Sequence, residues 1–216
     1  MARQANQLLN LVLGDHPQAW TTLGFEVSTD VGGRSFVLLG HTAVGLAGSG
    51  GGFSGWAIAD SGAPLDILPR SSHELGAAAD PVAHPNGITR IDHVVISTGD
   101  MLRTTAALES AGIDRRGGRD TDSYGTPMSQ AFFWLGDVIV ELVGPGPGEP
   151  TTEDPADLFG LALVSEDLDA TVGHLGEFAG TPKDAVQPGR RIAGIRSDGL
   201  GVSVPLAVMS PHPRRA

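Results

Sequence analysis

The sequence predicts an α+β fold made of repeated strand–helix–strand–strand–strand units. Three observations carry that prediction. First, inward-facing residues recur five and eight residues after a capping Asp: Trp20 and Leu23 after Asp15, Thr105 and Leu108 after Asp100, Val172 and Leu175 after Asp167. That spacing places both on one face of a helix. Second, FVLLGHTAVGLAG (36–48) can be laid on FFWLGDVIVELVG (132–144), with Leu39-Gly40 over Leu135-Gly136. Third, LFGLALVSEDLDATVGHLG from Leu158 can be laid on IDHVVISTGDMLRTTAALE from Ile91. Such a unit covers one sheet face with its helix and leaves the other open.

The first unit begins with a strand at 8–13. Asp15 reads as a helix cap with Pro17 in the first turn, and Gly24 closes the helix. A short strand at 25–28 and a hairpin broken at Gly40-His41 complete it. The stretch GSGGGFSG (48–55) holds a GxGxxG at Gly50, Gly52 and Gly55. A dinucleotide loop needs a helix directly afterwards, whereas WAIAD (56–60) is strand-like, which excludes that reading. Residues 53–60 look like the start of a further unit that is cut short. An extended linker through Pro64, Pro69, Pro81 and Pro85 follows.

The second unit runs from the strand at 91–96, through the helix capped by Asp100 and ended by Gly112, to the hairpin at 132–144. A polar loop with Arg115, Arg116 and Arg119 lies between. Residues 144–155 form a second linker. The third unit starts at Leu158 and ends with strands at 192–195 and 202–209 around an Asp198-Gly199 turn; the tail beyond Met209 reads as disordered. The expected domains are 1–85, a reduced unit with a truncated partner strand and linker, and 88–211, a pair of units at 88–147 and 156–211. In the pair, both faces of the first strand are apolar, with His93 and Val95 on one and Val94 and Ile96 on the other. The units are therefore expected to pack face to face, helices outside.

The length of 216 residues allows one large or two small domains. The chain has no cysteine, so disulfides and thiolate metal sites are excluded. A net charge of −11 argues against nucleic acid and anionic membrane surfaces as partners. No apolar run reaches transmembrane length and no signal-peptide pattern opens the chain. A cytoplasmic protein is expected. Lys183, the lone lysine, lies in a Pro-flanked loop, a poor place for a Schiff-base nucleophile.

Two ionisable residues interrupt apolar strands: His93 in 91–96 and Glu141 in 138–143. Each needs a partner to offset its desolvation. A shared divalent metal is one candidate. A hydrogen bond to a neighbour for His93, and water for Glu141, is the other. Gln130 and Trp134 alternate on the strand before Glu141 and point to the same side. The three Arg form either an anion clamp or a solvated loop. His16, His41, His73, His84 and His212 show no ligand-like spacing, and no Ser–His–Asp pattern is present.

The opening Ile91-Asp92-His93-Val94-Val95, the helix after Asp100 and the closing VIVELVG with Glu141 resemble the vicinal oxygen chelate superfamily. That superfamily includes glyoxalase I, bleomycin-resistance proteins, extradiol dioxygenases and methylmalonyl-CoA epimerase. The resemblance implies βαβββ modules paired into a cup-shaped mixed sheet. It also implies, for metal-dependent members, one ligand on the first and one on the last strand of each module. His93 and Glu141 fall on those places. Gly160 and Pro205 in the third unit, and Leu8 and Gly45 in the first, supply no donor. The implied site is a metal half-site, His93 and Glu141, within a ligand pocket of His93, Gln130, Trp134 and Glu141. The function this implies is binding of a small, largely apolar metabolite or drug, with no tightly held metal cofactor. Two alternatives stand beside it. One is a lyase, isomerase or dioxygenase using Zn, Mn, Ni or Fe, its missing ligands supplied by water or by a two-fold homodimer. The other is a structural or interaction domain with a filled cup.

Overall fold

A computed structural model describes residues 7–59, 82–122, 125–197 and 199–213. Most of the first linker and Asp198 of the expected turn lie outside those residues.

The first unit comprises β1 (Leu8–Leu13), α1 (Pro17–Thr22), β2 (Ser28–Thr29), β3 (Ser35–Leu39) and β4 (Thr42–Leu46), followed by β5 (Phe53–Ile58). These strands form a five-stranded sheet in the order β2-β3-β4-β1-β5. The second unit comprises β6 (Ile88–Ser97), α2 (Met101–Ser110), β7 (Arg115–Thr121), β8 (Met128–Leu135) and β9 (Val138–Pro145). The third comprises β10 (Asp157–Ser165), α3 (Leu168–Leu175), β11 (Lys183–Asp184), β12 (Arg191–Ile195) and β13 (Leu206–Met209). Together they build one eight-stranded sheet, β11-β12-β13-β10-β6-β9-β8-β7. In every unit the first strand runs parallel to the last, a connection that requires the intervening crossover helix.

The second and third units meet edge to edge, through antiparallel β6 and β10, rather than face to face. The alternation in β6 misleads because only one face needs covering. Val94 and Ile96 are fully buried, while His93 and Val95 stay partly open. β5 pairs antiparallel with β1 as β10 does with β6, so it stands where a further unit's first strand would stand.

Local chemistry explains most elements. Gly40 (φ 63°) and Gly136 (φ 66°) open the two-residue turns between Leu39 and Thr42 and between Leu135 and Val138, where a positive φ is required. Asp100 caps α2 by accepting from the Arg103 N–H, and Asp167 caps α3 by accepting from the Ala170 N–H. Two residues before each cap a hydroxyl accepts from the cap's own N–H: Thr98 from Asp100, Ser165 from Asp167. The same hydroxyls meet Thr104 and Thr171 at 2.7 Å. Those bonds carry the two threonines into the core. The positions buried in both helices are therefore four and eight after the cap (Thr104 and Leu108, Thr171 and Leu175), while Thr105 and Val172 are half-buried.

Asp15 is not a cap. α1 starts from His16, which makes no capping bond with its side chain. Buried Asp15 accepts from Trp20 Nε1 (2.9 Å), the Ser203 N–H (2.9 Å) and the Ser203 hydroxyl, and so ties the first unit to the segment before β13. The glycine-rich turn packs backbone on backbone: a Cβ on Gly14 would lie 2.3 Å from the Gly50 carbonyl oxygen. Residues 115–121, expected as a loop, form edge strand β7. Its side chains are almost all exposed, so the sequence shows no alternation, and the ladder to β8 holds it. β13 begins at Leu206 rather than residue 202. Leu11, Leu13, Trp20 and Trp56 share one contiguous core with Val94, Phe133, Val140 and Leu142. Among the described residues no helix is long and apolar enough to cross a membrane.

Candidate functional site

The site begins with an irregularity. β6 pairs His93 with Ala162 and Ile91 with Leu163, leaving Asp92 as an extra, bulged residue. Neighbours on a regular strand point to opposite faces; here the Asp92 and His93 side chains meet, Oδ2 to Nδ1, at 2.9 Å. Behind Asp92 lies Arg190, 1% exposed. Its Nη2 donates to Asp92 Oδ1 at 2.7 Å, its Nη1 to Oδ2 at 3.2 Å, and its Nε to the Ser210 carbonyl at 2.9 Å. His212 Nε2 lies 3.2 Å from Nη1. Burial by itself would raise the Asp92 pKa, but the hydrogen bonds and charges of His93 and Arg190 outweigh it and hold the carboxyl at about 2. An ionised Asp92 only accepts, so the proton on His93 Nδ1 points to it and Nε2 turns towards Glu141.

The chain of contacts continues across the sheet. His93 Nε2 lies 3.3 Å from Glu141 Oε2. Gln130 Nε2 donates to Glu141 Oε1 at 2.6 Å, and Arg119 Nε donates to Gln130 Oε1 at 2.5 Å. Arg119 then lies over the Phe132 ring, 6.0 Å from its centroid. Strand register explains the convergence. Glu141 is opposite Val95 on one side and Phe132 on the other; Ile139 is opposite His93 and Trp134. All of these project from the face that the helices leave open.

Of the residues singled out from sequence, His93, Glu141 and Gln130 are thus brought into one contiguous series of polar contacts. Trp134 shares their face, two residues beyond Phe132, and is 47% exposed. Arg119 joins the series, whereas Arg115 bonds the Gly117 carbonyl and Arg116 lies near Asp114. Two members were overlooked. Asp92 carried a signal, a second charge inside an apolar run. Arg190 carried none, since its partner is 98 residues away.

The donor set does not fit a tightly held divalent metal in a single chain. His93 and Glu141 converge, with Asp92 as the orienting carboxylate behind the imidazole, but three or four protein donors are needed. Superposing the caps Asp100 and Asp167 puts Gly160 in the place of His93. The register of β10 with β13 then puts Ala207, not Pro205, in the place of Glu141. In the first unit, superposing Gly40 on Gly136 puts Asn10, not Leu8, opposite Ala43 in the place of His93, and Gly45 in that of Glu141. Among the described residues no three His, Cys, Asp or Glu converge on one point.

Paired βαβββ modules in one mixed sheet, with open-face residues on a first and a last strand, constitute the vicinal oxygen chelate fold. A 4-hydroxymandelate synthase mutant from Streptomyces coelicolor is similar over 99% of this chain and 94% of that chain, with a TM-score of 0.66 and 14% identity. A xylose isomerase-like TIM barrel/4-hydroxyphenylpyruvate dioxygenase fusion protein is similar over 100% of this chain and 50% of that one, with a TM-score of 0.63 and 9% identity. Methylmalonyl-CoA epimerase from Mycobacterium tuberculosis covers 59% of this chain and 91% of its own, at 19% identity and a TM-score of 0.46. At these identities the likeness is one of fold. No family model matches the sequence, and no curated protein matches it.

Proposed function

We propose that the chain binds a small, largely apolar molecule on the open face of its eight-stranded sheet, with His93, Glu141 and Gln130 as the polar contacts and no tightly held metal. The supporting observation is the make-up of that face. Trp134 stands 47% exposed beside half-buried Val95, Phe132 and Ile139, around one short polar strip. An apolar surface with a few convergent polar groups is the usual form of a small-molecule site. A second reading, a divalent-metal lyase, isomerase or dioxygenase, draws on the orientation of His93 by Asp92 with Nε2 turned to Glu141. It needs donors from water or a second chain.

The test is a melting-temperature screen against aromatic and aliphatic metabolites, paired with elemental analysis of washed protein. A ligand at a hundred times its Kd stabilises the fold by ~2.7 kcal/mol. The expected result is a rise for some members, lost in Trp134→Ala, with well under one metal per chain. A flat screen would overturn the proposal in favour of a filled interaction face. A stoichiometric metal lost in both His93→Ala and Glu141→Gln would move the assignment to the metalloenzyme.

A further inference from the structure

We infer that the ligand is an anion: a small molecule with an apolar body and one carboxylate, the carboxylate taken by Arg119. This rests on the open-face reading above and adds the chemical class of the ligand.

Arg119 is exposed on β7, an edge strand with little to hold its side chains. Its side chain is nevertheless fixed at two points, by Nε on Gln130 Oε1 and by the guanidinium over Phe132. Gln130, 3% exposed, cannot swing away, because its own amide nitrogen is bonded to Glu141. Among the described residues the Arg119 side chain has no carboxylate partner. Gln130 stands between it and Glu141, so the nearest carboxylate on this face does not neutralise it. Arg190 is consumed by Asp92, and Arg115 bonds a carbonyl.

The result is a guanidinium with Nε anchored and its two terminal amino groups free to form a fork, against Phe132 and on the face that Trp134 shares. Planar bidentate donation matches a carboxylate. Ordering the side chain in advance removes most of the rotamer cost of binding. In a chain of net charge −11, an arginine held without an acidic partner beside an open apolar face is complementary to an anionic ligand.

The experiment compares matched probes: 3-phenylpropionate with 3-phenylpropanamide, and octanoate with octanamide, titrated calorimetrically into the wild-type protein. The acids are expected to bind tighter than the amides by roughly ten- to a hundredfold, the worth of a charge-assisted bond. Arg119→Gln should erase that ratio, and Trp134→Ala should weaken acid and amide together. Circular dichroism of Arg119→Gln checks that the exposed substitution leaves the fold intact. Acid and amide binding equally, or a ratio that survives Arg119→Gln, overturns the anion inference and leaves the open-face reading standing. Binding of neither member of either pair overturns both.

Discussion

Arg190 and Asp92 form an ion pair that water hardly reaches, with side-chain exposures of 0% and 4%. The pair matters less for its net attraction than for what either partner becomes alone. Arg190→Met leaves a buried carboxylate without its cation, with only the His93 imidazole as partner, and should cost ~3–5 kcal/mol, whereas Arg190→Met with Asp92→Leu should recover most of it. Urea denaturation of the two variants checks this; equal midpoints would show that the charges do not act as a pair. At this scale the sequence was half legible. His93 and Glu141 announced themselves by interrupting apolar runs, and Gln130 by alternation. Arg190 sits in a Gly-Arg-Arg turn that resembles any solvated loop, and only the fold shows its burial.

Helices α2 and α3 are built on the same device: a hydroxyl, an Asp two residues later, and a threonine four residues after that. Asp167→Ala removes the side-chain acceptor for the Ala170 N–H and should cost ~1 kcal/mol. A loss confined to α3 by amide hydrogen exchange would place the effect at the helix start; no change in exchange there would refute it. Hairpins and helix ends were readable because Gly and Asp act over a few residues. Asp15 was misread for the converse reason. Its position matches the other two, but Trp20 and the distant Ser203 use its carboxylate. β7 escaped notice because an exposed edge strand has no buried face to impose a pattern on its side chains.

The two sheets are joined through the segment entering β6, and His84 clamps that segment to the first unit. Its Nδ1 accepts from the Glu26 N–H at 3.1 Å, so its Nε2 carries the proton donated to the Leu38 carbonyl at 2.9 Å. Burial lowers the His84 pKa below 6.5, against the opposing pull of the Leu38 carbonyl and the Glu26 charge. The unfolded chain therefore binds a proton first. The clamp's contribution is complete above pH 6.5 and is lost as pH falls through the lower, folded-state value. Urea midpoints between pH 8 and pH 5 should fall more steeply for wild type than for His84→Gln; parallel curves would exclude His84 as the cause. The overall architecture was legible because the repeat is long and internal. The edge-to-edge joint was not, since hydrogen bonding along a strand's edge leaves no trace in which side chains are apolar.

Gly160 gives the third unit a direction of change. A Cβ there would lie 2.8 Å from the Pro205 carbonyl oxygen, which also accepts from the Leu161 N–H at 3.0 Å. The backbone has closed over the place that matches His93. Replacing Gly160 with His and Ala207 with Glu would not yield a four-donor cup in two independent steps. The first would have to push Pro205 aside and break a ladder contact before any donor was in position. The first step toward a second His on this sheet is thus a destabilising one.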